Sequence, residues 1–141
     1  MLHLKTLERK YKKAIFPGSF NEFHLGHFNI LMQADLIFDE VIIFVGQNPN
    51  KPKQDFEKRK EQIKNFIQKH TTKKFKILGS DALTTDVAKE NNCKWIIRGL
   101  RNVNDFEYEK QLNIDYKKIN HKIQIVYFIA DFKYIKIKSS K

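Results

Sequence analysis

The feature that most constrains the fold of this chain is a regular alternation between short apolar runs and longer amphipathic segments. The apolar runs are rich in β-branched and aromatic residues and lie at 13–16, 40–45, 75–78, 95–97 and 123–129. Nearly continuous hydrophobicity in short runs is typical of strands buried on both faces. Segments of helical length separate them, at about 25–38, 55–69, 81–91 and 105–119. The alternation therefore predicts an α/β fold: a five-stranded parallel sheet with helices on both faces.

Length and composition limit the remaining classes of protein. A chain of 141 residues is expected to form one domain, here residues 13–141 preceded by a basic N-terminal extension at 1–12. No apolar run approaches the roughly 20 residues that span a bilayer, so no membrane partner is expected. Residues 1–13 lack the apolar core of a secretory signal, and Cys93 is the sole cysteine. We therefore expect a cytoplasmic protein without disulfides or a cysteine-rich zinc site.

The net charge of +11 comes from 27 basic and 16 acidic residues, a balance found in many nucleic-acid-binding proteins. However, 23 of the basic residues are lysines and only four are arginines, which indicates a compositional preference for lysine along the whole chain. The charge therefore does not indicate a nucleic-acid partner. Arginine is scarce, and Arg98 and Arg101 lie three residues apart. Binding phosphate or carboxylate through a planar, two-pronged group is the physical reason to prefer arginine there.

The first strand is followed by a loop that reads PGSFNEFHLGH over residues 17–27. Ligands of open parallel sheets bind beyond the carboxyl ends of the strands, where helix N-termini offer free N–H groups to phosphate. Gly18 permits a tight turn, and Gly26 permits close approach of the backbone to a ligand. His24 and His27 can donate hydrogen bonds to phosphate, either as neutral rings or as imidazolium. The alternatives are two ordinary surface histidines, or a metal pair that would lack a third ligand nearby.

Both parts of this loop, GSF at 18–20 and HLGH at 24–27, resemble the signature of the nucleotidylyltransferase superfamily. The resemblance implies a Rossmann-like, dinucleotide-binding-like fold. It also implies the transfer of a nucleoside monophosphate from ATP or CTP to a phosphate on a small substrate, with release of pyrophosphate.

The stretch IRGLRNVNDFEYEKQ at 97–111 resembles the corresponding motif of the phosphopantetheine adenylyltransferase family. This resemblance implies adenylyl transfer from ATP to 4′-phosphopantetheine, Mg²⁺ delivered with ATP, and a homohexamer. A nicotinate-nucleotide or cytidylyl member of the superfamily is the alternative enzyme, and a basic nucleic-acid-binding module is the alternative of another class. A purely structural interpretation of the motif is that Arg98 and Arg101 pair with the carboxylates of Asp105 and Glu107.

The resemblance also implies roles for individual residues. His27 would stabilise the transition state. The residues implied in binding 4′-phosphopantetheine are Ser19, Lys51, Thr84 and Arg98, with Leu83 beside its arm. The residues implied in binding ATP are Ser19, Phe20, His24, His27, Gly99, Leu100, Arg101, Glu109, Tyr134, Ile135, Lys136, Ile137, Lys138, Ser139 and Ser140.

The sequence departs from the family pattern at four places. His24 stands where the family usually has threonine, Asn21 replaces an aspartate, and Lys138 occupies the first serine position of the last motif. A C-terminal helix normally follows that motif, whereas the sequence given ends at Lys141. The three substitutions leave the expected reaction unchanged, and the fourth departure bears on stability and assembly.

Overall fold

A computed structural model describes residues 10–47 and 55–135 of the chain. The strands in these ranges are β1 (Lys13–Gly18), β2 (Glu40–Gly46), β3 (Lys76–Ser80), β4 (Trp95–Leu100) and β5 (Gln124–Ile129). The helices are α1 (Leu25–Asp35), α2 (Phe56–Gln68), α3 (Thr84–Glu90), α4 (Val103–Ile119) and α5 (Phe132–Ile135). The predicted alternation of strands and helices is confirmed.

The strands form a single parallel sheet in the order β3-β2-β1-β4-β5. The chain starts at the centre with β1, builds outward through β2 and β3, and then returns to add β4 on the other side of β1. Strand order therefore reverses between β1 and β4, and helices leave these two strands in opposite directions. A crevice opens at such a point beyond the carboxyl ends of the strands, which is where Rossmann-like folds bind ligands.

Both faces of the sheet are covered, as predicted. One core lies between the sheet and α1 and α2, and Leu31, Ile43 and Ile63 belong to it. The other core lies under α3, where Val87 packs near Ile15 and Ile96. Central strands that are buried on both faces must be apolar at consecutive positions, which explains the continuous apolar runs in the sequence.

The predicted first helix, 25–38, is too long, because α1 ends at Asp35. Ile37 continues the apolar spacing within the predicted range but lies after the helix and is 55% exposed. The chain leaves the helix so that Phe38 can turn inward, where its ring lies 5.5 Å from that of Trp95. An apolar residue near a helix end can therefore fit the 3.6-residue period without belonging to the helix.

The prediction also placed Gly99 and Leu100 in a loop, whereas they are the last residues of β4. Register explains the difference, because β5 continues opposite them, with Gly99 beside Phe128 and Leu100 beside Ile129. The short helix α5 was not predicted. Reciprocal hydrogen bonds between Asn29 and Asp131, of 2.9 and 2.8 Å, hold the chain just before α5 against α1.

Candidate active site

A cavity of about 800 Å³ lies beyond the carboxyl ends of β1 and β4, at the point where strand order reverses. Its size is that of a small-molecule site. Two segments that are distant in sequence, 17–27 and 97–111, meet here because β1 and β4 are neighbours in the sheet. The predicted site residues that line the cavity are Ser19, Phe20, His24, His27, Thr84, Arg98, Gly99, Leu100, Arg101, Glu109 and Tyr134.

Other predicted site residues are not brought to the cavity by the part of the chain that is described. Lys51, Lys136, Ile137, Lys138, Ser139 and Ser140 lie outside the described residues. Ile135 is the last residue of α5. The roles implied for these residues stay predictions.

His24 and His27 cap the N-terminus of α1 together. The backbone N–H of Gly26 donates to Nδ1 of His24 at 3.1 Å, and the backbone N–H of His24 donates to Nδ1 of His27 at 3.1 Å. Because each Nδ1 accepts a hydrogen bond, the proton of each neutral ring lies on Nε2. The sequence suggested two donors to phosphate but did not reveal that the rings also satisfy the backbone of the helix start.

The cap also gives Gly26 a different explanation from the predicted one. A Cβ atom at this position would lie 2.9 Å from Cε1 and 3.0 Å from Nδ1 of the His24 ring. That ring is held by its hydrogen bond, so it cannot move away freely. Glycine at 26 therefore makes room for the histidine cap. Gly26 also lines the cavity, so the close approach of a ligand suggested by the sequence stays a prediction.

Three aromatic rings surround the imidazole of His27. The ring of His24 stacks on it at 3.8 Å between centroids, that of Phe23 stacks at 5.4 Å, and that of Phe20 meets it at right angles at 5.2 Å. Burial, with smaller contributions from His24 and Arg101, lowers the pKa of His27 to about 3. His27 is consequently a neutral donor through Nε2 near neutral pH, which decides between the two forms left open by the sequence.

The backbone of Phe20 has a φ of 46°, a conformation that residues other than glycine rarely adopt. Its ring is 4% exposed and packs edge-on against Phe16 and Phe23. A Cβ atom on Gly18 would lie 2.8 Å from this ring, so glycine at 18 leaves space for it. Strained residues of this kind occur most often at functional sites, where the surrounding packing holds them.

Arg98 and Glu109 form a buried ion pair at one side of the cavity. Nη2 of Arg98 lies 2.8 Å from Oε2 of Glu109, and Nε donates to Oε1 at 3.0 Å. The Glu109 residue is 5% exposed, so its charge needs this two-pronged partner. Burial opposes the charge on Arg98, but the hydrogen bonds and charge of Glu109 outweigh it and raise the pKa of the guanidinium.

Arg101 pairs with Asp105, as the structural interpretation of the motif expected. Nε of Arg101 lies 3.7 Å from Oδ2 of Asp105, which also accepts the backbone N–H of Arg101 at 2.8 Å. Arg98 pairs with Glu109 and not with Glu107, whose carboxylate faces Lys110 at 3.9 Å. The side chain of Arg101 is 47% exposed, so its guanidinium remains accessible from the cavity.

Sequence reasoning missed, among others, Tyr116 in the cavity lining and Arg59, which contacts the first loop from outside the lining. Tyr116 of α4 lines the cavity, and burial raises the pKa of its hydroxyl. It lies seven residues, or two helical turns, after Glu109, and this spacing could have placed it on the same face. Arg59 reaches from α2 to donate a hydrogen bond to the backbone carbonyl of Asn21, and no sequence signal indicated this contact.

Within the described ranges, no group of three or more histidine, cysteine, aspartate or glutamate side chains could hold a metal ion. The carboxylates of Glu109 and Asp105 at the cavity are already engaged by arginine and by the start of α4. The same residues form no helix that is long and apolar enough to cross a membrane.

Comparison with known proteins identifies the family. The model of the cytidylyltransferase-like family matches residues 15–141. A phosphopantetheine adenylyltransferase from Mycoplasma capricolum subsp. capricolum is 47% identical over 122 residues, which are 86% of each chain. Another from Malacoplasma penetrans is 40% identical over 136 residues, covering 96% of this chain and 91% of that protein. The chain belongs to the phosphopantetheine adenylyltransferase family. The family predicted from the motifs at 17–27 and 97–111 is thereby confirmed.

A solved structure supports the fold of this family member independently. The lipopolysaccharide core biosynthesis protein from Thermoplasma volcanium GSS1 superimposes with a TM-score of 0.58 at 22% identity. The match covers 85% of this chain and 98% of that protein. At this identity the likeness concerns the fold alone, and it agrees with the predicted Rossmann-like sheet.

The lowered pKa of His27 predicts a dependence of stability on pH. The unfolded chain binds a proton at His27 near pH 6.5, whereas the folded protein does so only near pH 3. Protonation therefore favours the unfolded state as pH falls from 6.5 toward 3, by about 1.4 kcal/mol per pH unit. Between pH 7.5 and 5.5 only the last unit lies in this window. Over this range we therefore expect the free energy of unfolding to fall by about 1.4 kcal/mol less in His27→Gln than in wild type. Urea unfolding at both pH values measures this, and equal losses in both proteins would contradict it.

Proposed function

We propose that this protein transfers the adenylyl group of ATP to 4′-phosphopantetheine, giving dephospho-coenzyme A and pyrophosphate. One observation carries the proposal: the two motifs that resemble the family converge on one cavity at the reversal point of the sheet. The relatives named above carry the name of this activity. The reaction belongs to coenzyme A biosynthesis.

In this reaction a phosphate oxygen of the acceptor attacks the α-phosphorus of ATP. The new P–O bond forms while the bond to the β-phosphate oxygen breaks, and pyrophosphate leaves with the electron pair. The protein needs no nucleophile of its own, so its contribution is to position both substrates and to stabilise the charge that develops on the α-phosphate. Nε2–H of His27, at the N-terminus of α1, is the donor that we assign to this charge.

The two substrates bind side by side in the cavity in our proposal, with the acceptor phosphate next to the α-phosphate of ATP. Arg98, held by Glu109, binds the acceptor phosphate together with Lys51, and Thr84 with Leu83 contacts the pantetheine arm. ATP lies against the first loop and the end of β4. The residues proposed to contact ATP are Ser19, Phe20, His24, Gly99, Leu100, Arg101, Glu109 and Tyr134, with residues 135–140 at its phosphates.

Magnesium enters this proposal as part of the MgATP substrate. A small divalent cation that keeps several waters is commonly held through substrate phosphates. A cytoplasmic location is proposed because Cys93 is the sole cysteine and the expected substrates are intracellular metabolites. We propose no nucleic-acid or membrane partner.

A homo-oligomer, with six copies by family resemblance, is also part of the proposal. Apolar side chains at one side of α4 and on the edge strand β5 are exposed: Val103 (84%), Phe106 (56%), Ile114 (42%) and Ile129 (63%). The edge of β5 is also open to further contact, since β5 is the last strand of the sheet. A patch of this kind usually marks an interface.

We expect Phe106→Glu to reduce the mass measured by sedimentation, with Leu36→Glu, on an exposed turn far from α4, as the control. An unchanged mass would contradict the assigned interface.

The activity is tested by measuring pyrophosphate release from ATP or CTP with a panel of phosphorylated acceptors. We expect release with ATP and 4′-phosphopantetheine, and little with nicotinate mononucleotide or with CTP. A His27→Ala preparation, purified in parallel, controls for contaminating enzymes. Release with nicotinate mononucleotide alone would indicate a nicotinate-nucleotide member of the same superfamily. Strong, salt-dependent binding of oligonucleotides without pyrophosphate release would indicate a nucleic-acid-binding protein.

A further inference from the structure

We infer that Phe23 is a positioning residue: together with Phe66 behind it, it fixes the plane of the His27 ring and keeps water from it, so that Nε2–H is presented to the cavity. The inference rests on the role proposed for His27. Phe23 itself does not line the cavity, so it acts through His27 and not on the substrates.

The packing of Phe23 links the first loop to a separate helix. Its ring is stacked on His27 at 5.4 Å with an interplanar angle of 30°, and it meets Phe66 of α2 edge-on at 5.4 Å. Phe66 in turn stacks on His70 at 4.5 Å. The neighbouring α2 residue Ile67 is buried in the main core, so α2 is a firm support.

The hydrogen bond to Nδ1 alone does not fix the orientation of the His27 ring. It fixes the position of one atom, and the ring can still swing about that contact. The stacked rings of Phe23 and His24 and the perpendicular ring of Phe20 block this motion. Aromatic pairs have preferred geometries, so rings of this kind restrict orientation as well as fill space.

The same packing determines the protonation of His27. Burial is the largest cause of its low pKa, and Phe23, 8% exposed, supplies part of that burial. The charged groups that act on the ring are His24 at the start of α1 and Arg101 after β4, and both disfavour a second positive charge. Glu22 acts on His24, and Arg59 of α2 is turned toward Asn21. A smaller side chain at 23 would therefore admit water and stabilise the imidazolium.

Phe38 provides a matched control for Phe23. It is 6% exposed, contacts another aromatic ring at 5.5 Å and lies after α1, at the opposite end of the sheet from the cavity. Changing either phenylalanine to leucine removes a similar volume from a core, so similar losses of stability are expected. Only the change at 23 should alter His27.

The experiment combines ¹⁵N NMR of the imidazole rings with steady-state kinetics. In wild type we expect the Nε2–H tautomer of His27 and no titration between pH 8 and 5. In Phe23→Leu we expect the pKa of His27 to rise by at least one unit, with kcat lowered about tenfold and both KM values within about threefold. Phe38→Leu should match wild type in the tautomer and titration of His27 and in kcat. Phe23→Tyr, which keeps the aromatic ring, should also match wild type in all three.

An unchanged tautomer and titration of His27 in folded Phe23→Leu would overturn the inference. An equal loss of kcat in Phe38→Leu would also overturn it, because the effect would then be a general one of stability. If Phe23→Leu does not fold, Phe66→Leu, which is one contact further from His27, should give a smaller shift in the same direction, and no shift would overturn the inference. A shifted titration in Phe23→Leu, with no pyrophosphate release by wild type, would support the positioning role and overturn the proposed function.

Discussion

Replacing His27 with alanine should lower kcat by about 10²–10³-fold and leave the KM for ATP within a few-fold of wild type. In the proposed mechanism the neutral imidazole donates from Nε2 at the N-terminus of α1, and this interaction is strongest when charge develops on the α-phosphate. An interaction made mainly in the transition state affects kcat more than binding. Initial rates of pyrophosphate release at varied ATP concentration measure both parameters.

The change at His27 also removes the acceptor for the backbone N–H of His24, so stability must be measured alongside activity. Loss of an N-terminal cap typically costs about 1 kcal/mol, which a folded protein at 25 °C tolerates. His121→Ala, exposed in the turn after α4, is the control for loss of an imidazole elsewhere. A kcat near the wild-type value in folded His27→Ala would remove His27 from the mechanism.

The sheet was predictable because burial on both faces leaves a direct mark on the sequence. The runs around Ile15, Ile42 and Ile96 are apolar at consecutive positions since each lies under helices on both sides. The exposed end of α1 shows where this signal fails. Ile37 continues the apolar period of the helix, but the position of Phe38 in the core is a tertiary constraint that no local pattern records.

The members of the site were predictable from resemblance, whereas their mutual geometry was not. The reciprocal cap of His24 and His27 depends on two ring orientations, and the left-handed backbone of Phe20 depends on packing around its ring. Likewise, the choice of Glu109 over Glu107 as the partner of Arg98 follows from which face of α4 turns toward β4. These features arise when separate elements pack together, so they become visible only in the folded protein.

The pair of Arg98 and Glu109 gives the second large effect. If Arg98 binds the acceptor phosphate, Arg98→Ala should raise the KM for 4′-phosphopantetheine about tenfold to hundredfold and change the KM for ATP far less. This range corresponds to the loss of a charge-assisted hydrogen bond, roughly 1.5–3 kcal/mol. Arg98→Lys should recover only part of the affinity, because an ammonium cannot reproduce the paired bonds from Nε and Nη2 that orient the side chain on Glu109. Lys51→Ala, at the other residue assigned to this phosphate, should change the same KM.

A structural role of the pair must be separated from its role in binding, since Arg98→Ala leaves the buried carboxylate of Glu109 without its partner. Breaking such a pair typically costs about 3–5 kcal/mol of stability, and removing both partners costs less. The double variant Arg98→Ala/Glu109→Ala should therefore be more stable toward urea than Arg98→Ala and still keep the high KM for 4′-phosphopantetheine. Recovery of this KM in the double variant would mean that Arg98 acts only by neutralising Glu109. Equal changes in the KM values of both substrates would assign Arg98 to the cavity as a whole and not to the acceptor phosphate.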